Sequence, residues 1–491
     1  METIQIIILF TVFVTMAVLM FLRKLPAIIA LPIMAVLIAL TGGVSVQDTI
    51  RYVIGMGSLK LASAFTISIF GSMLSVLMQK TGVAESFIKR GAELSGDNPW
   101  TIAVVMLTLI IVLFSTLGGL GAIIMVATIV LPIMSSVGIG PITTVGIFLF
   151  GLSIGGLMNV GNWAVYISVM GLTVEQIRPF ALIMFSISFL TALIYITVQL
   201  YRDGNNLNIK RIIIRNLIFV IAASMILYGY FEMIGQDARS FVISAVSAAG
   251  GLLSWLVVAG IVFLFGIAFI RLIQKKNEQT NEIHWSALFA PTIPLMFILV
   301  FSMDFIASFV IGLVFTFIAT YKKGRLNIFI QSMFEGGAVV MPAVALMFGI
   351  GMLLVAIMGP GIAVDAYPDG WPVIRILKPL MMNIVPSDPF EYVLYFTLAA
   401  PLALYRGPFN VWGMGYGLAG VFLASGLNPG AVMGLLLGVG HIQGISDPTN
   451  TQNVWLANEM RIDVQKILWN TIPYTWILAF IGLTCSALMF M

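Results

Sequence analysis

Asp447-Pro448-Thr449-Asn450-Thr451-Gln452-Asn453 is the most polar run inside any apolar stretch of this chain. It ends a segment that starts at Asn428-Pro429, and Pro448 lacks the N–H needed to carry a helix through it. The run reads as the interruption of a helix; the plainer alternative is a polar loop at the cytoplasmic end of a span. An earlier stretch repeats the plan. Gly140-Pro141 opens an apolar segment that breaks at Asn159-Val160-Gly161-Asn162, and in both places 18 residues separate the turn proline from the first residue of the break. Past the breaks, Leu172-Thr173-Val174-Glu175-Gln176-Ile177 parallels Arg461-Ile462-Asp463-Val464-Gln465-Lys466-Ile467, and an apolar helix closes each half.

Upstream of each interrupted segment lies another broken apolar stretch, at about 99–137 and 390–426. The first is introduced by Asp97-Asn98-Pro99-Trp100 and broken at Phe114-Ser115-Thr116-Leu117-Gly118-Gly119. The second is introduced by Ser387-Asp388-Pro389-Phe390 and broken at Tyr405-Arg406-Gly407-Pro408-Phe409-Asn410. Phe70-Gly71 and Phe348-Gly349 also match, inside the helix before each broken stretch.

The composition fixes the medium. The 491 residues include 24 Lys and Arg and 20 Asp and Glu, so 9% are charged and 60% hydrophobic, against about 25% charged in a soluble domain. A soluble globule, a disordered chain and a disulfide scaffold are excluded. Cys485 is the single cysteine, and His284 and His441 lie far apart, which excludes a disulfide and a Cys or multi-His metal cluster. There is no H-E-x-x-H, Walker loop or G-x-S-x-G, so an enzyme is not expected. The net charge of +4 reports loop orientation and not nucleic-acid binding.

A spanning helix needs roughly 20 apolar residues, so the length allows about twelve. The runs are 4–22, 26–42, 57–79, 141–170, 178–200, 212–232, 250–272, 286–302, 304–320, 337–358, 429–447 and 468–490. Residues 46–56 and 325–334 read as short interfacial helices, and Glu335 as the N-terminal cap of a span. Arg23-Lys24, Lys80, Lys89-Arg90, Arg202, Lys210-Arg211-Arg215, Arg271, Lys275-Lys276 and Lys322-Lys323-Arg325 are expected on the cytoplasmic side. Asp48, the segment Glu232 to Arg239 and the segment Asp365 to Asp369 are expected outside. This works if the two broken stretches are hairpins that return to their own sides. The halves are then inverted, the sequence pattern of a secondary transporter with a midplane site. The fold expectation is an all-α polytopic membrane protein with about 12 transmembrane helices plus two re-entrant hairpins. Residues 1–200 form the first repeat (scaffold 1–56, transport core 57–200), 201–285 a linker with two spans, and 286–491 the second repeat (scaffold 286–334, core 335–491).

Interrupted helices leave unpaired N–H and C=O groups that suit anions and cations respectively. Gly118 and Gly119 allow close backbone approach, and Ser115 and Thr116 supply hydroxyls. Arg406, at the second hairpin tip, suits bidentate capture of a carboxylate, or else pairs with Asp447. With Asn159, Asn162, Asn410, Thr449 and Asn450 these make the expected substrate site. Asp447, Thr451, Asn453 and His441 are the expected ion-coupling group, with Na⁺ at Asp447 and Asn450 as the candidate bound ion and no other cofactor. A buried carboxyl is equally suited to carry a proton, which leaves open a cation/proton antiporter with Asp447 as carrier.

Paired hairpins and interrupted helices in two inverted halves resemble the ion transporter superfamily. That group includes divalent anion/sodium symporters and relatives carrying citrate, gluconate and dicarboxylates. The symporters carry Ser-Asn-Thr at each tip; here the tips read Phe114-Ser115-Thr116 and Arg406-Gly407-Pro408. The resemblance implies a homodimer whose transport core moves as an elevator, carrying a small organic anion with Na⁺ or H⁺. The expected setting is a bacterial cytoplasmic membrane, with lipid and the anionic substrate as the other partners.

Overall fold

Pro99, Pro141, Pro389 and Pro429 share one two-residue device: each occupies the first helical turn behind a residue in extended or near-extended conformation. Proline loses nothing at that position, because its missing N–H would have been unpaired there. The side chains of Asn98, Asp388 and Asn428 cap the next N–H groups, at 2.8 to 3.1 Å. The computed structural model describes residues 2–22, 24–205, 236–277, 282–381 and 385–491, and all regular structure among them is helical. The expected span 212–232 and Arg23, Lys210, Arg211, Arg215 and Glu232 lie outside the described residues.

Among the described residues, five helices are long and apolar enough to cross a membrane: Val46–Thr81, Val174–Arg202, Ser254–Ile273, Leu326–Met358 and Val464–Phe490. The pair Pro141–Leu157 and Val160–Met170, bent by 49°, makes a sixth if taken as one span. The chain is an integral membrane protein on this ground and on its composition. Shorter apolar helices include Ala27–Thr41, Pro99–Phe114, Leu120–Ser136 and Phe305–Thr320.

The matched helices of the two halves run antiparallel. Gly57 lies against Met352, Phe65 rings with Phe348 at 5.4 Å, and Gly336 lies against Met73. Crossing this close needs glycine: a Cβ on Gly336 would sit 2.5 Å from the Met73 Cα, and one on Gly57 2.8 Å from the Met352 Cα. The matched glycines also exchange partners. Gly71 of the first half packs on Phe309 in 305–320, and Gly349 of the second on Pro32 in 27–41.

Three expectations change here. Residues 46–56 and 325–334 are not separate interfacial helices but the first turns of the helices Val46–Thr81 and Leu326–Met358. Glu335 is therefore not a cap; it lies within the latter helix and pairs with Lys80 at 2.5 Å. Gly336-Gly337 would weaken an isolated helix, and packing on Met73 with the Lys80 pair holds it through.

The charged loops gather at two ends. Arg90 donates to the Ile283 carbonyl at 2.8 Å, which joins the 80–90 and 271–285 segments. Asp48 accepts from the Tyr367 hydroxyl at 2.9 Å, which joins it to the 365–371 loop. Between these ends stand two helical hairpins, Pro99–Phe114 with Leu120–Ser136, and 389–406 with 411–424. The base of the second sits by the Asp48 end, since Gly420 packs on Leu354 and Met358 and Trp371 donates to the Ala356 carbonyl.

Candidate functional site

Both hairpin tips and both helix breaks open on one cavity of about 560 Å³. Its wall includes Thr116, Gly118 and Gly119 from the first tip and Arg406 from the second. The breaks contribute Asn159, Asn162, Asn450 and Thr451, and His441 also lines it. Ser68, Ser72, Phe309, Val339 and Ala343 also line it. Ser115, Asn410, Thr449, Asp447 and Asn453 stand behind the lining.

Why they stand there follows from their hydrogen bonds. Ser115 donates to the Val112 carbonyl at 2.6 Å, one turn back in its own helix. Asn410 donates to Ala403 O and Asp447 Oδ2, at 3.3 and 3.4 Å. Asn453 donates to Ile445 O at 2.8 Å. Thr449 gives both its N–H and its hydroxyl to Asp447 Oδ1, at 2.9 and 2.7 Å.

Asp447 is fully buried and acts as a clamp. Tyr405 and Arg406 are consecutive residues in the left-handed region, with φ of 54° and 58°, at roughly 1–2 kcal/mol each for a non-glycine residue. In this conformation both of their N–H groups face Asp447. The Asp447 carboxylate accepts from Tyr405 N at 3.1 Å and Arg406 N at 3.4 Å. Thr449 and Asn410 supply its other donors. Three of these donors crowd Oδ1 at 2.7 to 3.1 Å and two reach Oδ2 at 3.4 Å, so in this arrangement the carboxylate holds the tip. Asn450 points its amide nitrogen at the Gln443 carbonyl, at 2.5 Å.

The first half contains the counterpart with reversed polarity. Asn159, at the position equivalent to Asp447, donates to the Phe114 and Leu117 carbonyls at 3.1 and 3.3 Å. The first tip follows the C-terminal end of an α-helix and presents orphan carbonyls, so it needs a donor. The second tip presents N–H groups and needs an acceptor. Both clamp residues also accept from the N–H two residues on, Gly161 and Thr449. Three residues after each clamp an asparagine bridges its break, Asn162 to Gly156 O at 2.8 Å and Asn450 to Gln443 O.

With Asp447 spent on backbone, the Arg406 guanidinium has no hydrogen bond or ion pair among the described residues. Among the described residues, Arg406 is the one charged residue in the cavity wall. His441 is buried between Ser153 and Ser188, with its ring nitrogens 2.8 and 3.0 Å from their hydroxyls. No carboxylate is among its hydrogen-bond partners, which is the geometry of a packing histidine.

Several residues at the cavity have little sequence signal. Gln443 accepts from Val411 N at 2.6 Å and so fixes the start of the second hairpin's return arm; an amide within an apolar run was the clue. Tyr166 and Tyr416, from opposite halves, approach with ring centroids 6.3 Å apart. Only the tertiary structure brings them together.

No family model matches this chain, and no curated protein matches it. Among solved structures, the YdaH transporter of Alcanivorax borkumensis aligns over 88% of this chain and 86% of its own, with a TM-score of 0.48 and 13% sequence identity.

Proposed function

We propose that this protein is a secondary active transporter of a small organic anion carrying a carboxylate, driven by a Na⁺ or H⁺ gradient. The observation that carries this reading is Arg406, a guanidinium without a partner among the described residues and the one charge in the wall of a 560 Å³ cavity. Arg406 is exposed to this cavity, and a guanidinium there suits a carboxylate gripped in a bidentate fashion. The helix starts at Leu120 and Thr451 have no side-chain cap, so their N–H groups add a favourable field for an anion. Asn162 and Asn450 line the same wall. They turn their amide nitrogens into the breaks, which leaves their carbonyl oxygens as acceptors for a hydroxyl on the substrate.

The hairpins are read as re-entrant, entering from opposite faces of the membrane and meeting at mid-depth, and the movement as an elevator. The cores then slide past helices 46–81 and 326–358, which pack on each other and on 27–41 and 305–320. That packing favours assigning 57–81 and 335–358 to the scaffold, with the moving parts beginning after them. A homodimer in a bacterial cytoplasmic membrane remains part of the proposal. The antiporter reading has less support, since the oxygens of Asp447 hold the hairpin tip.

The test is uptake of labelled small carboxylates into proteoliposomes under an imposed Na⁺ or H⁺ gradient. Saturable, gradient-driven uptake is expected, and Arg406→Ala should raise KM about 100-fold, about 3 kcal/mol of charge-assisted hydrogen bonding. Intact cation exchange without saturable anion flux would overturn the proposal.

A further inference from the structure

A second pocket, of about 240 Å³, lies at the basic end of the molecule, away from the central cavity. It is lined by Arg271, Leu272, Lys275, Asn277, Tyr321 and Lys323. The cations come from two elements, the end of helix Gln236–Ile273 and the turn after helix Phe305–Thr320. We propose that this pocket binds a phosphate-ester anion, the headgroup of an anionic phospholipid.

The pocket is built. Asn277 is buried and ties its two walls together: its Oδ1 accepts from Arg271 Nε at 3.1 Å, and its Nδ2 donates to the Ala319 carbonyl at 3.2 Å. Fixing Nε in this way sets the plane of the guanidinium and leaves its terminal nitrogens for a ligand. Lys275 closes the helix from the left-handed region, at φ 53°, with Lys276 N bonded to Arg271 O at 3.1 Å. Glycine takes that position without strain. Lys275 and Arg271 both line the pocket, so the helix ends with two cations at this site.

No carboxylate neutralises the cluster among the described residues, where the ion pairs are Lys80–Glu335, Lys89–Glu85 and Arg375–Asp369. Burial, and after it the charges of Arg271 and Arg90, hold the nearby His284 below the ordinary imidazole range. Clustered cations beside one polar amide suit a phosphate, whose oxygens accept from several donors at once.

The surroundings favour a lipid as the source. The same helix that supplies Arg271 exposes Val262, Phe263, Phe269, Ile270 and Ile273, an apolar face on which acyl chains lie. Trp285 and Phe289 are also exposed close by, and Trp285 stands 6.5 Å from Phe263, as aromatic residues do at a membrane interface. Basic pockets between helices at the cytoplasmic face take anionic headgroups. This inference does not depend on the transport reading.

The test uses the full-length protein in nanodiscs of phosphatidylcholine alone or of an equimolar mixture with phosphatidylglycerol. Millimolar inorganic phosphate is added to the first set in a further arm. The readouts are the thermal unfolding midpoint and lipid retention by native mass spectrometry. Phosphatidylglycerol should raise the midpoint and be retained, and Arg271→Gln with Lys323→Gln should weaken retention about tenfold. Lys323→Gln alone, in an exposed turn, keeps the test valid if the double variant misfolds; Lys89→Gln, elsewhere on the surface, should leave retention unchanged. If phosphate alone stabilises the wild type and loses its effect in the variant, the same site serves free phosphate. No shift from either addition, or a shift that survives in the variants, overturns the proposal.

Discussion

Replacing Asp447 by asparagine changes one oxygen into an NH₂ group and should release the second hairpin tip. The remaining oxygen will face Tyr405 N, Thr449 N and Thr449 Oγ1, its three shorter partners at 2.7 to 3.1 Å. The new NH₂ then faces Arg406 N and Asn410 Nδ2, both donors and both at 3.4 Å in the native arrangement. Two hydrogen bonds to a charged acceptor are lost. Bonds of this kind contribute about 1.5–3 kcal/mol, and their length puts them at the low end. Asn410 recovers part of the loss by flipping its amide. The net cost to the closed tip is about 2 kcal/mol, about a 30-fold rise in its opening. Amide hydrogen exchange of the peptide covering 402–411, followed by mass spectrometry in nanodiscs, reads this directly. The effect should be confined to the second tip. Asn159→Asp should do the same to residues 114–119, by setting a carboxylate against the Phe114 and Leu117 carbonyls. Unchanged protection of 402–411 in Asp447→Asn, or equal loosening of both tips, would refute the clamp.

Two further outcomes follow from the packing. Gly336→Ala puts a methyl 2.5 Å from the Met73 Cα and should cost about 1–3 kcal/mol, seen as a lower thermal midpoint, whereas Gly337→Ala, with open space around it, should be neutral or stabilising. His441→Gln should leave the pH dependence of transport where it is, because the ring is held by two hydroxyls; a displaced pH profile would make it a proton relay instead.

What the sequence determined by itself is what depends on near neighbours in the chain and on the medium. Scarcity of charge specifies a membrane, because hydrocarbon cannot solvate ions. The four cap–proline starts and the equal spacing from turn to break are readable because a proline and the residue before it act within one helical turn. The joining of the 365–371 loop to Asp48 through the Tyr367 hydroxyl is, by contrast, a contact between segments far apart in the chain. Helix 326–358 is a second such case. Glu335 and Gly336-Gly337 look like a helix start, and only Lys80 and Met73, brought from the other half, make them an interior. The central site divides in the same way. Arg406 and Asp447 stand out as isolated charges, but the donors from the second tip that hold Asp447, Tyr405 N, Arg406 N and Asn410 Nδ2, lie about forty residues away in sequence. The sequence leaves open whether the two neutralise each other. The tertiary structure decides it, because two left-handed residues at the tip turn N–H groups toward Asp447 and leave the Arg406 guanidinium to the cavity.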